Sequence, residues 1–214
     1  ADSLDETTAT SYTVTGLTNK TEYHFRVAAV DSSGYRGAFS DTVSVTPEYL
    51  GPNWWVSVQN GSDDTGDGSI EFPFSSIHQA FYETSHADTI RIMPGTYYEH
   101  SFSNYDPQST QPQSTGRFDL TIVGMNSTGE VIVDAQKNNR HMMINGGFTP
   151  DMQISMTFRN IHFTNGEGRD EDGFNGGGSM YLAKITAKFV NCHFSNNQAT
   201  AGVGGWTPGG ALNI

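Results

Sequence analysis

The chain has 214 residues, enough for one large domain or two small ones, and carries 11 Lys and Arg against 23 Asp and Glu, a net charge of −12. That balance excludes the basic footprint that nucleic acid or an anionic membrane surface requires, and no apolar run approaches the roughly 18–20 residues needed to span a bilayer. With 24 Gly, 16% charged residues and no long helical periodicity, the composition points to an all-β chain with many tight turns. The opening "ADSLDETTATSY" has neither the basic start nor the apolar stretch of a signal peptide. The expectation is a cytosolic segment or one cut from the interior of a longer secreted precursor.

Residues 1–47 form one compositional regime. Tyr12, Val14 and Leu17 alternate with Thr and Ser, and Tyr23, Phe25, Val27 and Ala29 alternate with polar residues. Val43 and Val45 then precede a proline. Period-two alternation broken by "GLTNKTE" and "DSSGYRG" predicts three antiparallel strands of a sandwich. The order Tyr12, Leu17, Tyr23, "RVAAVD", "VSVTP" resembles the last three strands of a fibronectin type III domain. The resemblance makes Tyr23 the corner tyrosine after the E–F turn. It covers about half of such a domain, so the chain is expected to begin inside one.

"EYLGPN" (48–53) reads as a Pro/Gly linker. Residues 54–58 predict a short strand, and "NGSDDTGDGS" a polar loop. Ser75 or Ser76 can cap a helix whose Ile77, Ala80 and Phe81 fall at i, i+3 and i+4. "DTIRIMPGTYYE" predicts strand, Pro-Gly turn, strand. This run resembles the N-terminal region of secreted right-handed parallel β-helix proteins, in which one amphipathic helix plugs the open apolar end. Ala87 stands where that pattern usually has Gly.

"FRNIHFTN" (158–165) recurs as "FVNCHFSN" (189–196), 31 residues on, and "GGSMYL" (177–182) recurs as "GGALNI" (209–214), 32 residues on; "RHMMI" (140–144) is an earlier member of the second set. Within the octapeptide the apolar parity slips at Asn160, as at a sharp corner, and Asn is the non-glycine residue best suited to the left-handed backbone a corner needs. Laying "TIVG" (121–124) over "TFRN" (157–160) puts Gly124 at the same corner. A unit of this length implies a solenoid of about three coils. Phe158 is expected under Phe189, Ile161 under Cys192, Phe163 under Phe194 and Asn160 under Asn191, with a hydrogen-bonded Asn ladder. Cys192, the single cysteine, is then a small core residue, and His162 and His193 face outward. The strings resemble repeats of bacterial β-helix surface proteins, including the polymorphic outer-membrane type. The predicted fold is therefore a partial fibronectin type III sandwich (1–47), a linker (48–53), and the capped first coils of a right-handed parallel β-helix (54–214).

Candidate sites are sparse. Asp63, Thr65 and Asp67 with Gly68 match a calcium loop in part, against the alternative of a solvated Asp-Gly loop; Phe74 stands where that loop needs Glu. Glu167, Asp170, Glu171 and Asp172 form an acidic cluster open to the same two readings. Calcium is the one cofactor to be considered, at Asp63, Asp67, Asp170 and Asp172. Trp206, in a loop equivalent to that of Phe174, and the outward Tyr181 are candidates for stacking on sugar rings. His162 and His193 stack without a third ligand to complete a metal set, and His78 and His86 have no carboxylate at a telling spacing. Arg159, Lys184 and Lys188 lie near rungs without assembling an acid–base pair. The expected role is that of a secreted or cell-surface structural and adhesive segment. Its partners would be glycans, other surface proteins or copies of itself. The alternatives are the start of a polysaccharide lyase or glycoside hydrolase, and a non-catalytic carbohydrate-binding module.

Overall fold

A computed structural model describes residues 7–103, 117–125, 130–146, 153–168, 177–199 and 210–213. The chain divides into two compact units, Ala1–Tyr49 and Leu50–Ile214. Its described residues are almost all β, with one short helix.

In the first unit, strand β1 (Tyr23–Phe25) pairs antiparallel with β4 (Val43–Val45), and β2 (Ala28–Val30) with β3 (Arg36–Phe39). The Tyr23 hydroxyl accepts a hydrogen bond from the Thr18 amide at 2.9 Å, the corner contact expected of it. Two expectations need correction. Residues 7–17 form no strand, so the alternation at Tyr12, Val14 and Leu17 does not translate into pairing. The segment read as a turn instead supplies β3. Asp31 makes this possible: its Oδ1 accepts from the Ser33 and Tyr35 amides, which tightens the reversal to 31–35 and releases Arg36 onward to pair. The Ser33 hydroxyl, which donates to the same oxygen at 2.6 Å, and then these two amides hold the Asp31 carboxyl below its usual range.

The second unit is built from parallel pairs. A five-stranded sheet has the order β16 (Thr186–Val190), β12 (Gln153–Arg159), β9 (Arg117–Gly124), β6 (Asp88–Ile92), β5 (Asn53–Val56). A second sheet runs β17 (His193–Ser195), β13 (His162–Thr164), β10 (Val131–Asp134), β7 (Gly95–Tyr97). A third runs β19 (Leu212–Asn213), β15 (Met180–Ala183), β11 (Met142–Asn145), β8 (Phe102–Ser103). The short strands β14 (Glu167–Gly168) and β18 (Gln198–Ala199) pair with each other. The chain visits the three sheets in the same order on each of four passes, one more than the repeats predict. The extra pass is β6 to β8, whose sequence carries no copy of the octapeptide.

The inward residues are mostly apolar. Phe158 pairs with Phe189 in register, their rings stacked at 5.0 Å and 10°, and Phe163 stacks on Phe194 at 5.4 Å. Met142, Met180 and Leu212 align across the third sheet, as the "GG" strands predict. Cys192, expected in the core, is only half-buried, whereas Ile161 one pass earlier is buried. Asn160 and Asn191 have φ of 56° and 52°, and the Asn191 amide donates to the Asn160 Oδ1 at 3.0 Å, so the corner and its ladder form. Asn165 and Asn196 turn a second corner at φ 56° and 54°. Gly124 needs correction. It is the last residue of β9 and is not left-handed; it is small because a Cβ there would lie 2.2 Å from the Asn160 carbonyl oxygen. The two positions align, for different reasons.

Helix α1 (Ile77–Glu83) closes the first pass with Ile77, Ala80 and Phe81 buried, as their spacing predicts. Ser76 is its N-cap, accepting from the Gln79 amide at 3.0 Å. Ile77 reaches the interior, where it lines an apolar void of about 10 Å³ with Ile92, Phe102, Ile122 and Phe158.

Candidate functional site

The Asp loop is exposed in its first half, at Asp63, Asp64 and Thr65, and buried in its second. Gly66, Asp67 and Gly68 are buried, and the Gly68 carbonyl accepts from the Trp55 amide. Gly68 has φ +81°, and a Cβ there would meet the rings of Phe74 and Trp54 at 2.6 Å. Asp67 Oδ1 accepts from the Ser69 amide at 2.9 Å. Asp63 Oδ1 accepts from the amides of Ser75 and Ser76 at 2.9 and 3.1 Å, immediately before the helix. Glu99 takes the next two, with Oε1 on Ile77 and Oε2 on His78, both at 2.8 Å. These carboxylates satisfy donors that a helix start otherwise leaves open. Burial pushes the Glu99 carboxyl up to about 7 against the pull of its two amide donors, and the Asp63 charge adds to the rise. Glu99 also brings a carboxylate to 3.8 Å from His78, a pairing 21 residues apart that spacing did not reveal. Among the described residues no group of three or more His, Cys, Asp or Glu is placed to hold a metal ion.

On the outer face of the second sheet, His162 and His193 are in register, with ring centroids 4.3 Å apart. His162 Nε2 lies 2.7 Å from the Ser195 hydroxyl, and His162 Nδ1 lies 3.3 Å from Glu130 Oε1. The Thr164 hydroxyl is 3.0 Å from that of Ser195, and Asn165 donates to Asp134 at 2.9 Å. Both ring nitrogens of His162 are thus engaged, by residues from the passes before and after its own. Sequence reading placed the imidazoles outward but missed Ser195 and Glu130. Only the strand register brings those two together.

Inside the wall, His141 and Ser179 are fully buried, with His141 Nδ1 2.9 Å from the Ser179 hydroxyl and Nε2 3.0 Å from the Val133 carbonyl. Burial lowers the His141 pKa to about 4. The ring is neutral, donating from Nε2 to Val133 and accepting at Nδ1 from Ser179.

The outer face of the five-stranded sheet carries two rows of side chains in register. Thr89, Thr121 and Thr157 form one row in register, which continues to Lys188. Beside it Trp55, Arg91, Val123 and Arg159 form a second. Arg91 lies along the wall, donating to Asn53 Oδ1 at 2.8 Å with its guanidinium 5.6 Å from the Trp55 ring. Arg159 and Lys188 are exposed. Tyr181 is outward on β15, half-buried, with the Arg140 guanidinium 6.0 Å from its ring. Asp170, Asp172, Glu171, Phe174 and Trp206 lie outside the described residues.

Comparison with known proteins agrees with the first unit and extends into the second. Residues 2–46 match the fibronectin type III domain. A chitinase of Paenibacillus xylanexedens is 30% identical over 151 residues, covering 64% of this chain and 28% of the chitinase. That share is too large to fall within residues 2–46, so the likeness reaches the parallel sheets. The chain spans little more than a quarter of this relative's length. No solved structure matches.

Proposed function

We propose that this chain is a segment of an extracellular bacterial protein directed at polysaccharide. In this reading, residues 54–214 are the capped N-terminal coils of a right-handed parallel β-helix whose outer walls hold glycan, after a fibronectin type III module and the linker 48–53. The β-helix reading draws support from four passes through three parallel sheets in constant order, with a helix over the first. The right hand follows from the strong preference of parallel crossovers. The polysaccharide reading draws support from the chitinase likeness and, above all, from the wall of Trp55, the threonine row, Arg91, Arg159 and Lys188. A surface of evenly spaced hydroxyls, about 4.8 Å per rung, edged by an aromatic ring, suits an extended polymer of ring hydroxyls. The role is adhesive and structural, with walls and loops presented to glycans on a neighbouring surface. Calcium enters only as a stabiliser of the Asp63–Asp67 loop; it would show as a melting temperature raised by millimolar Ca²⁺ and lowered by chelator.

The test is retention of the whole chain on insoluble chitin and on a panel of neutral and acidic polysaccharides, with release of reducing ends followed in parallel. Retention that weakens in Trp55→Ala and Arg159→Gln, without cleavage of the polymer, is the expected result. No retention on any polysaccharide overturns the reading, and chain cleavage replaces it with a hydrolase or lyase.

A further inference from the structure

We infer that Ser195, His162 and Glu130 form a hydrolytic relay on the outer face of the second sheet, acting on acyl esters. The three residues stand on three successive passes: Glu130 just before β10, His162 opening β13 and Ser195 closing β17. Their spacing is that of nucleophile, base and orienting group, with 2.7 Å from the Ser195 hydroxyl to Nε2 and 3.3 Å from Nδ1 to the Glu130 carboxylate. Glu130 selects the tautomer. With its oxygen accepting from Nδ1–H, the neutral ring presents a lone pair at Nε2, and the short contact there is Ser195 O–H donating into it. His162 is only 18% exposed and is held on one face by the His193 ring, so its orientation is set before any ligand arrives.

Outward polar ladders are ordinary on stacked strands, and part of this one is ordinary: His162 repeats as His193 and Thr164 as Ser195. The set of three does not repeat, because the position in register with His162 on the preceding strand is Ile132. The relay therefore occurs once among the described residues, where a carboxylate, an imidazole and a primary hydroxyl climb one rung each. The Thr164 hydroxyl, 3.0 Å from that of Ser195, helps hold the nucleophile's oxygen in place.

In the reaction, Ser195 Oγ bonds to the acyl carbonyl carbon as its proton passes to Nε2 of His162. Collapse of the tetrahedral intermediate breaks the bond between the acyl carbon and the alcohol oxygen, and Nε2 returns its proton to the leaving alcohol. Water then attacks the acyl carbon as its proton passes to Nε2 of His162; the bond from that carbon to Ser195 Oγ breaks, Nε2 returns the proton to Oγ, and the carboxylic acid leaves. His162 and Ser195 lie on the outer face of the second sheet, so the substrate is an ester presented at the surface, and the glycan reading above makes it an O-acyl group on a polysaccharide. That choice of substrate rests on that reading; the relay itself does not.

The test separates the two. The whole chain is treated with a fluorophosphonate and digested, and the modified serine is identified by mass. Hydrolysis of p-nitrophenyl acetate and release of acetate from acetylated polysaccharide are measured on the same preparation. The expected outcome is label on Ser195 alone, with Ser195→Ala and His162→Gln each lowering kcat/KM about a thousandfold while the circular dichroism spectrum is unchanged. Glu130 is a positioning residue: Glu130→Gln lowers kcat with KM preserved, and Glu130→Asp recovers part of it. Unlabelled Ser195, or hydrolysis unaffected by Ser195→Ala, overturns the relay whatever the chain binds. Label and p-nitrophenyl acetate turnover without acetate release from any polysaccharide overturns the glycan substrate and leaves the relay standing.

Discussion

The first and fourth passes cover the same kind of interior to different degrees. At the first pass, α1 lays Ile77, Ala80 and Phe81 over the core, and the N–H groups at its start are closed by Ser76, Asp63 and Glu99. At the fourth pass, Phe189 and Phe194 are only half-buried, whereas their partners one rung back, Phe158 and Phe163, are buried. Residues that are nearly identical in sequence thus contribute unequally. The motif sets where a ring points, and its neighbours on both sides decide what that placement is worth.

The largest test of this difference is a pair of truncations. Phe158→Ala removes a fully buried ring between two rungs and is expected to destabilise by about 3–5 kcal/mol. Phe189→Ala, on the half-buried rung, is expected to cost about 1–2 kcal/mol. Chemical denaturation of both variants measures the gap. Equal losses would mean the fourth rung is as well covered as the third.

The next contrast sets the cap against the interior, through pH. Glu99, at the cap, has its folded pKa raised by burial to about 7. The folded state then binds a proton that the unfolded state lacks between about pH 4.5 and 7, so this group's contribution falls as pH rises through that window. His141, in the interior, has its folded pKa lowered by burial to about 4. Between about 4 and 6.5 the unfolded state binds the extra proton, so its contribution is lost as pH falls. Each shift corresponds to about 3 kcal/mol, and the two oppose each other where they overlap. The wild-type chain should be nearly level in stability from pH 5 to 6.5. Glu99→Gln should lose stability on acidification and His141→Gln should gain it, as denaturation midpoints against pH would record.

At the corners the contrast is smaller. Asn160→Ala forces a Cβ residue to keep φ near 56° and removes bonds to the Gly124 carbonyl and to Asn191, for an expected loss of about 2–3 kcal/mol. Asn191→Ala makes the same backbone change on an exposed residue and forfeits the single ladder bond, for about 1–2 kcal/mol. Replacement by Gly relieves the backbone part at both sites. The residue between the two losses is then the ladder bond to Gly124.

What could be read from the sequence was whatever repeats or follows a local period. The octapeptide copies place Phe158 on Phe189 and Asn160 on Asn191, and the i, i+3, i+4 spacing places the buried face of α1. What depends on a distant partner was hidden. Glu99 carries no mark of reaching the start of a helix 21 residues earlier. Strand β3 hid behind the glycine of its own turn, and the strand expected at Tyr12 lacked the pairing that would have made it one. The relay of Glu130, His162 and Ser195 needs three strand registers to be known at once, and no single stretch of sequence contains more than one of its members.

The smallest predicted effect concerns Ala87, where the sequence departs from the pattern it resembles. Glycine is usual at that position, and the backbone shows why: Ala87 sits at φ 71°, and its amide donates to the Asp119 carbonyl at 2.8 Å, which holds the turn into β6 in that conformation. An L-residue in this region costs about 1–2 kcal/mol, while glycine costs about 0.5–1 kcal/mol more than alanine in chain entropy on folding. The strain is the larger of the two, so Ala87→Gly should stabilise the second unit by about 0.5–1 kcal/mol. Thermal and chemical denaturation would show the gain as a higher midpoint with an unchanged slope. A loss of stability would mean that the turn relaxes around alanine and that the left-handed backbone is not being enforced by its bond to Asp119.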